Sequence, residues 1–261
     1  MNRLGVIGTG NMGSAIIRGV HKSSPEIGIF AFDKDPEKLK ALPVTACADE
    51  KSVVEKSKYV LLSVKPQMLG EVLDTISGAV TADTVFISIC AGNSAEFIRS
   101  RTIPSAKVIL VMPNTPMMLG FGASAVARGE GVSDEEFRFA KSLFACCGIA
   151  EEIPMDKMKE IICINGSSPA FIYLFAKGFL DYAAESGIDS GAALRLFSAS
   201  LCGAAEMLTR SGMTADQLIK QVSSPGGTTV AGLEKLYAGD FTGDIVSACR
   251  ACTDRAYELG S

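Results

Sequence analysis

Short, mostly apolar runs recur through the first half of the chain: Arg3–Ile7, Ile27–Phe32, Tyr59–Val64, Thr84–Ile89 and Lys107–Val111. They are continuous rather than alternating, so each predicts a strand buried on both faces. Between them, Ser14–Val20, a segment from about Pro36, Pro66–Ser77 and Ser94–Arg99 carry helical spacing. Strands alternating with helices predict a parallel sheet covered on both sides. Beyond Ser133 the period changes. Asp134–Cys147 reads as a helix and Ile149–Ile153 as a short strand, and from about Asp156 nearly everything is helical. Pro169–Ser186 closes on Gly187, Ser190–Ser211 closes on Gly212, and Thr214-x-x-Gln217 forms a capping box. A last helix runs from about Asp244 to Leu259. The expected class is α/β: a parallel-sheet domain over residues 1–155 and an all-helical domain over 156–261.

Composition narrows the setting. Hydrophobic residues make up 48% of 261 positions and charged residues 21%, the balance of a globular chain with a sizeable core. The net charge of −4 and the absence of a basic run argue against nucleic acid. The apolar runs are strand length, far short of the roughly 20 residues that span a bilayer. MNRLGVIGTG enters a strand-like run with no cleavable signal pattern, so a cytoplasmic location is expected. Eight Cys lie mostly among apolar neighbours. Cys249-x-x-Cys252 has the spacing of half a zinc site, but no comparable second pair exists and the single His is His21. Small buried hydrophobes are the better reading, and no metal is expected. His21 itself reads as a surface residue of the first helix.

The chemistry begins at Gly8-Thr9-Gly10-Asn11-Met12-Gly13, which follows the first strand and opens the first helix. In that context the spacing means dinucleotide binding on a Rossmann-type domain. Gly8 makes the tight turn, Gly10 admits the pyrophosphate and Gly13 allows close helix packing. Asp33 lies 20 residues after Gly13, where an acid binds the ribose of NAD, whereas its neighbour Lys34 suits the 2′-phosphate of NADP. Asp33 could equally turn away and cap a helix at Pro36. The pair leans toward NADP, with NAD as the alternative. Ser63-Val64-Lys65-Pro66, Ile89-Cys90-Ala91 and Met112-Pro113-Asn114 end three further strands, on the side where open α/β sheets bind ligands. Lys65 is either a cofactor contact or a solvated helix-start lysine. Asn114 either bonds a carboxamide or holds its own loop as an Asx turn.

In the helical half, Val222–Leu233 (VSSPGGTTVAGL) interrupts the pattern with a Pro, two consecutive Gly and a cluster of hydroxyls. Gly226 and Gly227 permit a sharp turn, and Thr228 and Thr229 fall where the next helix begins. Free N–H groups and hydroxyls converge there on a point that suits a carboxylate. An ordinary interhelical turn is the alternative.

Taken together, GTGNMG, SVKP, the CAG strand end, MPNTP, GSSPAF at Gly166–Phe171 and SSPGGTT at Ser223–Thr229 resemble the pyrroline-5-carboxylate reductase family along essentially the whole chain. The resemblance implies an NAD(P)H-dependent enzyme that reduces 1-pyrroline-5-carboxylate to L-proline, and an interlocked homodimer built through the helical domain. Assemblies of dimers are a further implication. Carried over by motif, Ile7, Gly8, Thr9, Gly10, Asn11, Met12, Lys34, Ser63, Val64, Lys65, Pro66, Ile89, Cys90 and Ala91 would line the cofactor, and Asn114 joins them on its carboxamide reading. Gln221, Ser224, Gly226, Gly227, Thr228 and Thr229 would line the substrate pocket, with Thr229 at the ring nitrogen. Gln221 stands where some relatives have Asn, and Met155, beside Asp156, where the family often has Glu. A β-hydroxyacid dehydrogenase would instead need a lysine near Gly166–Phe171, and Lys159 and Lys177 both sit poorly for it. A non-catalytic NADP(H) sensor is the other alternative.

Overall fold

The computed structural model describes residues 3–259, so Met1 and Asn2, with which the N-terminal run begins, lie outside the described residues. Contacts divide the chain into two compact units, residues 1–169 with 251–261, and residues 170–250.

The first unit is built on an eight-stranded sheet of order β3-β2-β1-β4-β5-β6-β7-β8. Its strands are β1 (Arg3–Ile7), β2 (Gly28–Phe32), β3 (Thr45–Ala46), β4 (Tyr59–Leu62), β5 (Val85–Ser88), β6 (Lys107–Met112), β7 (Gly122–Arg128) and β8 (Gly148–Glu152). β1 to β6 are mutually parallel, β7 runs antiparallel to β6, and β8 is parallel to β7. Every residue of β4 and β5 is buried, the apolar YVLL and VFI together with Ser88 at the end of β5. Two cores result. Leu4, Val6, Leu61 and Ile87 pack under α1 (Asn11–Ser23) and α5 (Asp134–Ala145), while Ile7, Val60, Leu62 and Phe86 pack under α2 (Glu50–Lys56), α3 (Leu69–Ile76) and α4 (Ala95–Arg101). Chain order reverses between β1 and β4, and the crevice at a switch point of this kind is where doubly wound sheets bind ligands.

Several elements depart from the sequence reading. The helix expected from about Pro36 is only a 3-10 turn, Pro36–Leu39, because Pro43 follows closely and β3 begins at Thr45. Its cap is Asp35, whose carboxylate accepts from the Glu37 N–H at 3.2 Å, and not Asp33. α2 starts at a cap formed by Asp49, which accepts from Ser52 N at 2.7 Å and Ser52 Oγ at 2.6 Å. β7, GASAVAR, carries no large apolar side chain to announce it. Ahead of α6 (Ser168–Glu185), the helical period expected from about Asp156 is met over Ile162–Ser167 by π-helical turns. Pro169 has no N–H to offer the carbonyl four residues back, and that carbonyl, of Asn165, accepts instead from Asn114 Nδ2 at 3.0 Å.

At the amino ends of the strands, away from the crevice, α5 begins with a capping box between Ser133 and Glu136. Glu136 is 3% exposed and its Oε1 lies 3.0 Å from Lys58 Nζ and 2.9 Å from Lys107 Nζ. Burial alone would raise its pKa, yet the two ammonium groups and the Ser133 N–H overcome that and hold it at about 2. A depressed carboxylate contributes stability that is present above its unfolded pKa of 4.5 and is lost as pH falls toward 2. Glu136→Gln should therefore destabilise the fold at neutral pH by at most about 3 kcal/mol, the linkage value of the depressed carboxylate, because it removes the charge that both ammonium groups pair with. In denaturant titrations at successive pH values, the gap between the variant and the unmodified chain should close below pH 4.5; a gap constant down to pH 2 would remove the ion cluster from the account.

The second unit holds the body of α6, α7 (Ser190–Arg210), α8 (Ala215–Gln221), α9 (Thr228–Ala238) and the first half of α10 (Phe241–Leu259). Phe175, Phe179, Phe197 and Phe241 form its aromatic centre, with the rings of Phe179 and Phe197 stacked at 4.6 Å. No residue of α7, α8 or α9 is buried. Leu174 is 70% exposed and Leu196 69%, and Tyr173, Tyr182 and Leu208 are open as well.

Candidate functional site

The turn after β1 makes the first half of the site. Gly8 adopts φ +92°, and a Cβ there would lie 2.6 Å from the Ser63 carbonyl oxygen, so only glycine fits between the two strand ends. Gly10 caps α1 with no side-chain partner and has open space where its Cβ would be, room for a phosphate over the helix N-terminus. A cavity of about 370 Å³ opens beside this turn, lined by Ile7, Gly8, Gly10, Lys34, Ser63, Val64 and Lys65 of the expected residues. Asp35, Lys38 and Glu50 also face it; the sequence reading placed Asp35 and Lys38 at an expected helix start without assigning them a role, and missed Glu50 with the helix it opens.

Asp33 lines this cavity as well, with both carboxylate oxygens engaged by donors of the protein itself. Its Oδ2 accepts from Thr9 N at 2.7 Å and Thr9 Oγ1 at 3.1 Å, and its Oδ1 from Asp35 N at 2.9 Å and Lys38 Nζ at 3.2 Å. Burial pushes its pKa up, but these donors outweigh burial and leave the carboxyl below its ordinary value. Lys34 faces the cavity with only an exposed pairing to Glu71 at 3.4 Å.

A second cavity of about 150 Å³ lies at the carboxyl ends of β5 and β6. Cys90 and Ala91 line it, with Leu110, Met112, Met155 and Met158 supplying an apolar wall. The Cys90 thiol donates to the carbonyls of Leu62 at 3.4 Å and Val64 at 3.3 Å, tying this loop to the end of β4. Burial raises that thiol to about 11, so it is a structural donor rather than a nucleophile. Ile89 packs into the core, and Pro66 opens the short turn before α3. Met12 packs against the core as well, while Asn11 lines a separate groove along α1 with Arg18 and Leu119.

Asn114 is 8% exposed and both ends of its amide are engaged within the protein. Its Oδ1 accepts from Ala123 N at 2.8 Å while Nδ2 holds the Asn165 carbonyl. Asn165 reciprocates, its Nδ2 donating to Met112 O at 2.6 Å and Ala123 O at 3.0 Å. The MPN loop, the start of β7 and the π-turns before GSSP are thus pinned together. Of the two readings of Asn114, this bonding supports the loop-holding one.

The helical unit carries the remaining candidates. Ser224-Pro225-Gly226-Gly227 forms a tight turn with Gly226 at φ +70° and Gly227 N donating to Ser224 O at 2.9 Å. α9 starts directly at Thr228, and no side chain caps it. The first-turn N–H groups of Thr228 and Thr229 therefore have no intrahelical acceptor and point outward with the positive end of the helix dipole. Gln221 ends α8 on the approach to this turn, and Gln221, Ser224, Thr228 and Thr229 are all exposed. Among the described residues no three His, Cys, Asp or Glu side chains converge as a metal-ligand set, and no helix is long and apolar enough to cross a membrane.

A glycine loop between the first strand and first helix, at the switch point of a doubly wound sheet, defines a dinucleotide-binding protein of the Rossmann class. Residues 3–92 match the family of NADP oxidoreductases described as coenzyme F420-dependent, and residues 155–259 match the pyrroline-5-carboxylate reductase dimerisation family. The chain is 34% identical to pyrroline-5-carboxylate reductase 3 of Xenopus laevis, covering 98% of this chain and 96% of that protein. It is 32% identical to the pyrroline-5-carboxylate reductase of Methanosarcina acetivorans, over 99% and 98%. The crystal structure of Plasmodium falciparum pyrroline carboxylate reductase with NADP bound superposes with a TM-score of 0.91 at 27% identity, over 100% of this chain and 98% of that one. The chain belongs to the pyrroline-5-carboxylate reductase family.

Proposed function

We propose that this protein reduces 1-pyrroline-5-carboxylate to L-proline with NADPH, NADH serving as the weaker alternative. The observation that carries the substrate assignment is the uncapped start of α9 behind the Ser224–Gly227 turn, whose free N–H groups suit a small carboxylate. The dinucleotide fits the glycine loop, where Gly10 has open space over a helix N-terminus and Lys34 and Lys65 face the adjoining cavity. When bound, the cofactor supplies hydride from its nicotinamide ring. What remains for the chain is positioning. The N–H groups of Thr228 and Thr229 hold the carboxylate, the Thr229 hydroxyl steadies the ring nitrogen, and Gln221, Ser224, Gly226 and Gly227 shape the pocket. The cyclic imine is readily protonated before hydride arrives, so a histidine acid is not required.

The cofactor-lining set is Ile7–Met12, Lys34, Ser63–Pro66 and Ile89–Ala91, with Asn114 acting on the loop rather than on the ring. Functionally, the division falls at 155/156, a dinucleotide-binding domain followed by a domain for substrate and dimerisation. The homodimer is supported by the family match of residues 155–259 and by helices α7 to α9, in which no residue is fully buried in the single chain. Assembly of dimers into rings, a cytoplasmic location and the absence of nucleic-acid and membrane partners complete the reading. Among its supports are the net charge of −4 and helices too short or too polar to span a bilayer.

Thr229→Ala tests the positioning role. Turnover should fall at least about tenfold, roughly 1.4 kcal/mol of transition-state stabilisation, while the NADPH dissociation constant stays within about twofold. Steady-state kinetics and a fluorescence titration of NADPH read the two quantities separately. Unchanged turnover would remove Thr229 from the mechanism.

A further inference from the structure

The end of α10 is fastened to the sheet-bearing unit by contacts that lie inside that unit. The Tyr257 hydroxyl donates to Glu160 Oε1 at 2.8 Å. The Lys159 ammonium lies over the same ring, 4.3 Å from its centroid. Tyr257 is thus gripped at its hydroxyl and on its face by neighbouring residues of the segment that leads into the π-turns. Two residues on, Leu259 reaches the loop after β5. A Cβ on Gly92 would meet the Leu259 Cβ and carbonyl oxygen, both at 3.6 Å. Glu160 makes the hydroxyl bond matter. Its Oε2 is covered and has no hydrogen-bond partner among the described residues, and the Tyr257 bond is the chief cause that holds the carboxyl below its ordinary range. Without the phenol, a carboxylate with one oxygen already shut off from water would lose its side-chain donor. Ala256, beside Tyr257, is buried and lines the cavity of about 150 Å³ at the carboxyl ends of β5 and β6, as do Cys90, Ala91 and Gly92. The loop after β5 is therefore anchored twice, inward by the Cys90 thiol to the carbonyls of Leu62 and Val64 and outward by α10.

We propose that Tyr257, through Glu160, is a positioning residue for the ring-bearing end of the dinucleotide. The bond between them clamps the end of α10 onto the Gly92 loop, and that loop holds Cys90 and Ala91 where the nicotinamide is received. The proposal rests on the reading of Ile89–Ala91 as part of the dinucleotide site. Neither Tyr257 nor Glu160 lines the cavity itself. What they remove is freedom of the loop, an ordering cost that would otherwise fall on binding. The clamp bears on one end of the dinucleotide, since the glycine-loop cavity is built from residues 7–72.

Calorimetric titration of the ligand-free full chain with NADPH and with 2′-phospho-ADP-ribose, which lacks the nicotinamide ring, separates the two ends without turnover. Tyr257→Phe keeps the ring under Lys159 and removes only the hydroxyl. It should weaken NADPH by about fivefold and leave the ring-less probe within about twofold. A merely structural role would weaken both probes by the same factor. That result, or an NADPH affinity equal to that of the unmodified chain, would overturn the positioning role. Glu160→Gln keeps an acceptor for the phenol and should stay within about twofold of the unmodified chain for both probes, whereas Glu160→Ala should match Tyr257→Phe. The double variant, Tyr257→Phe with Glu160→Ala, should cost no more than either change alone, because both remove one bond; additive losses would overturn the clamp. Glu160→Ala carries the test if Tyr257→Phe does not fold, as judged by circular dichroism. If the unmodified chain binds neither probe, the dinucleotide reading itself has failed and this inference falls with it, a result distinct from equal losses in a variant.

Discussion

Gly227→Ala lowers kcat/KM for 1-pyrroline-5-carboxylate by about 10²-fold, because the new methyl group displaces the turn that aims Thr228 and Thr229. A Cβ at position 227 would sit 2.6 Å from Ser224 Oγ and 2.9 Å from the Ser224 carbonyl oxygen. The hydroxyl can rotate aside, but the carbonyl is backbone and also accepts the Gly227 N–H at 2.9 Å. Relief must therefore open the turn itself. The first residues of α9 then shift, and the N–H groups that hold the carboxylate shift with them. NADPH affinity should stay within about twofold, since the glycine-loop cavity is built from residues 7–72 alone. The measurement is a pair of substrate titrations, and kcat/KM equal to that of the unmodified chain would refute a carboxylate receptor at this turn.

The second large effect concerns association. Placing a carboxylate at Leu196, which is 69% exposed on α7 in the single chain, should cost about 3 kcal/mol once that face is buried against a partner. That corresponds to a loss on the order of 10²-fold in self-association, and in a two-fold symmetric dimer the substitution acts twice. Leu196→Glu should sediment as a mixture with monomer at concentrations where the unmodified chain is dimeric. Because no residue of α7 to α9 is fully buried in the single chain, dissociation should also loosen them, so helical circular dichroism and activity should fall together. A Leu196→Glu chain that remains dimeric and active would place the interface elsewhere. Leu174→Glu, on α6, offers the second position.

How far the chain could be read in advance depended on whether a feature is local. β4 was legible because a strand buried on both faces must be apolar, and β1 and β5 because only Arg3 at the start of one and Ser88 at the end of the other depart from that pattern. The glycine loop was legible because its spacing is dictated by backbone approach, such as the 2.6 Å between a Cβ on Gly8 and the Ser63 oxygen. β7 was not, since GASAVAR buries itself through small residues that carry no periodic signal. The short α2 was missed although its signal, Asp49 three residues before Ser52, stands in the sequence. Asp33 marks the limit most clearly. Its identity and position predicted a ribose acceptor or a cap at Pro36; the cap is Asp35, and the Asp33 carboxylate accepts from the N–H and hydroxyl of Thr9, 24 residues away, a partner with no local signature. The Asn114–Asn165 bridge spans 51 positions and depends on a π-turn and on Pro169 freeing a carbonyl, none of which has a local signature. The unit boundary was blurred for a similar reason, since α6 and α10 run unbroken through it.

The central claim is that one chain couples a glycine-loop dinucleotide site to a carboxylate receptor for a cyclic imine. Its most direct test follows NADPH oxidation by the purified chain in parallel assays. One assay contains 1-pyrroline-5-carboxylate, and the others contain the oxo acids that a β-hydroxyacid dehydrogenase would reduce. The account predicts oxidation with the imine alone, with L-proline formed in equal amount to the NADPH consumed. Turnover of the oxo acids without the imine would assign the chain to hydroxyacid chemistry, and tight NADPH binding with no turnover of either would leave a sensor in place of an enzyme.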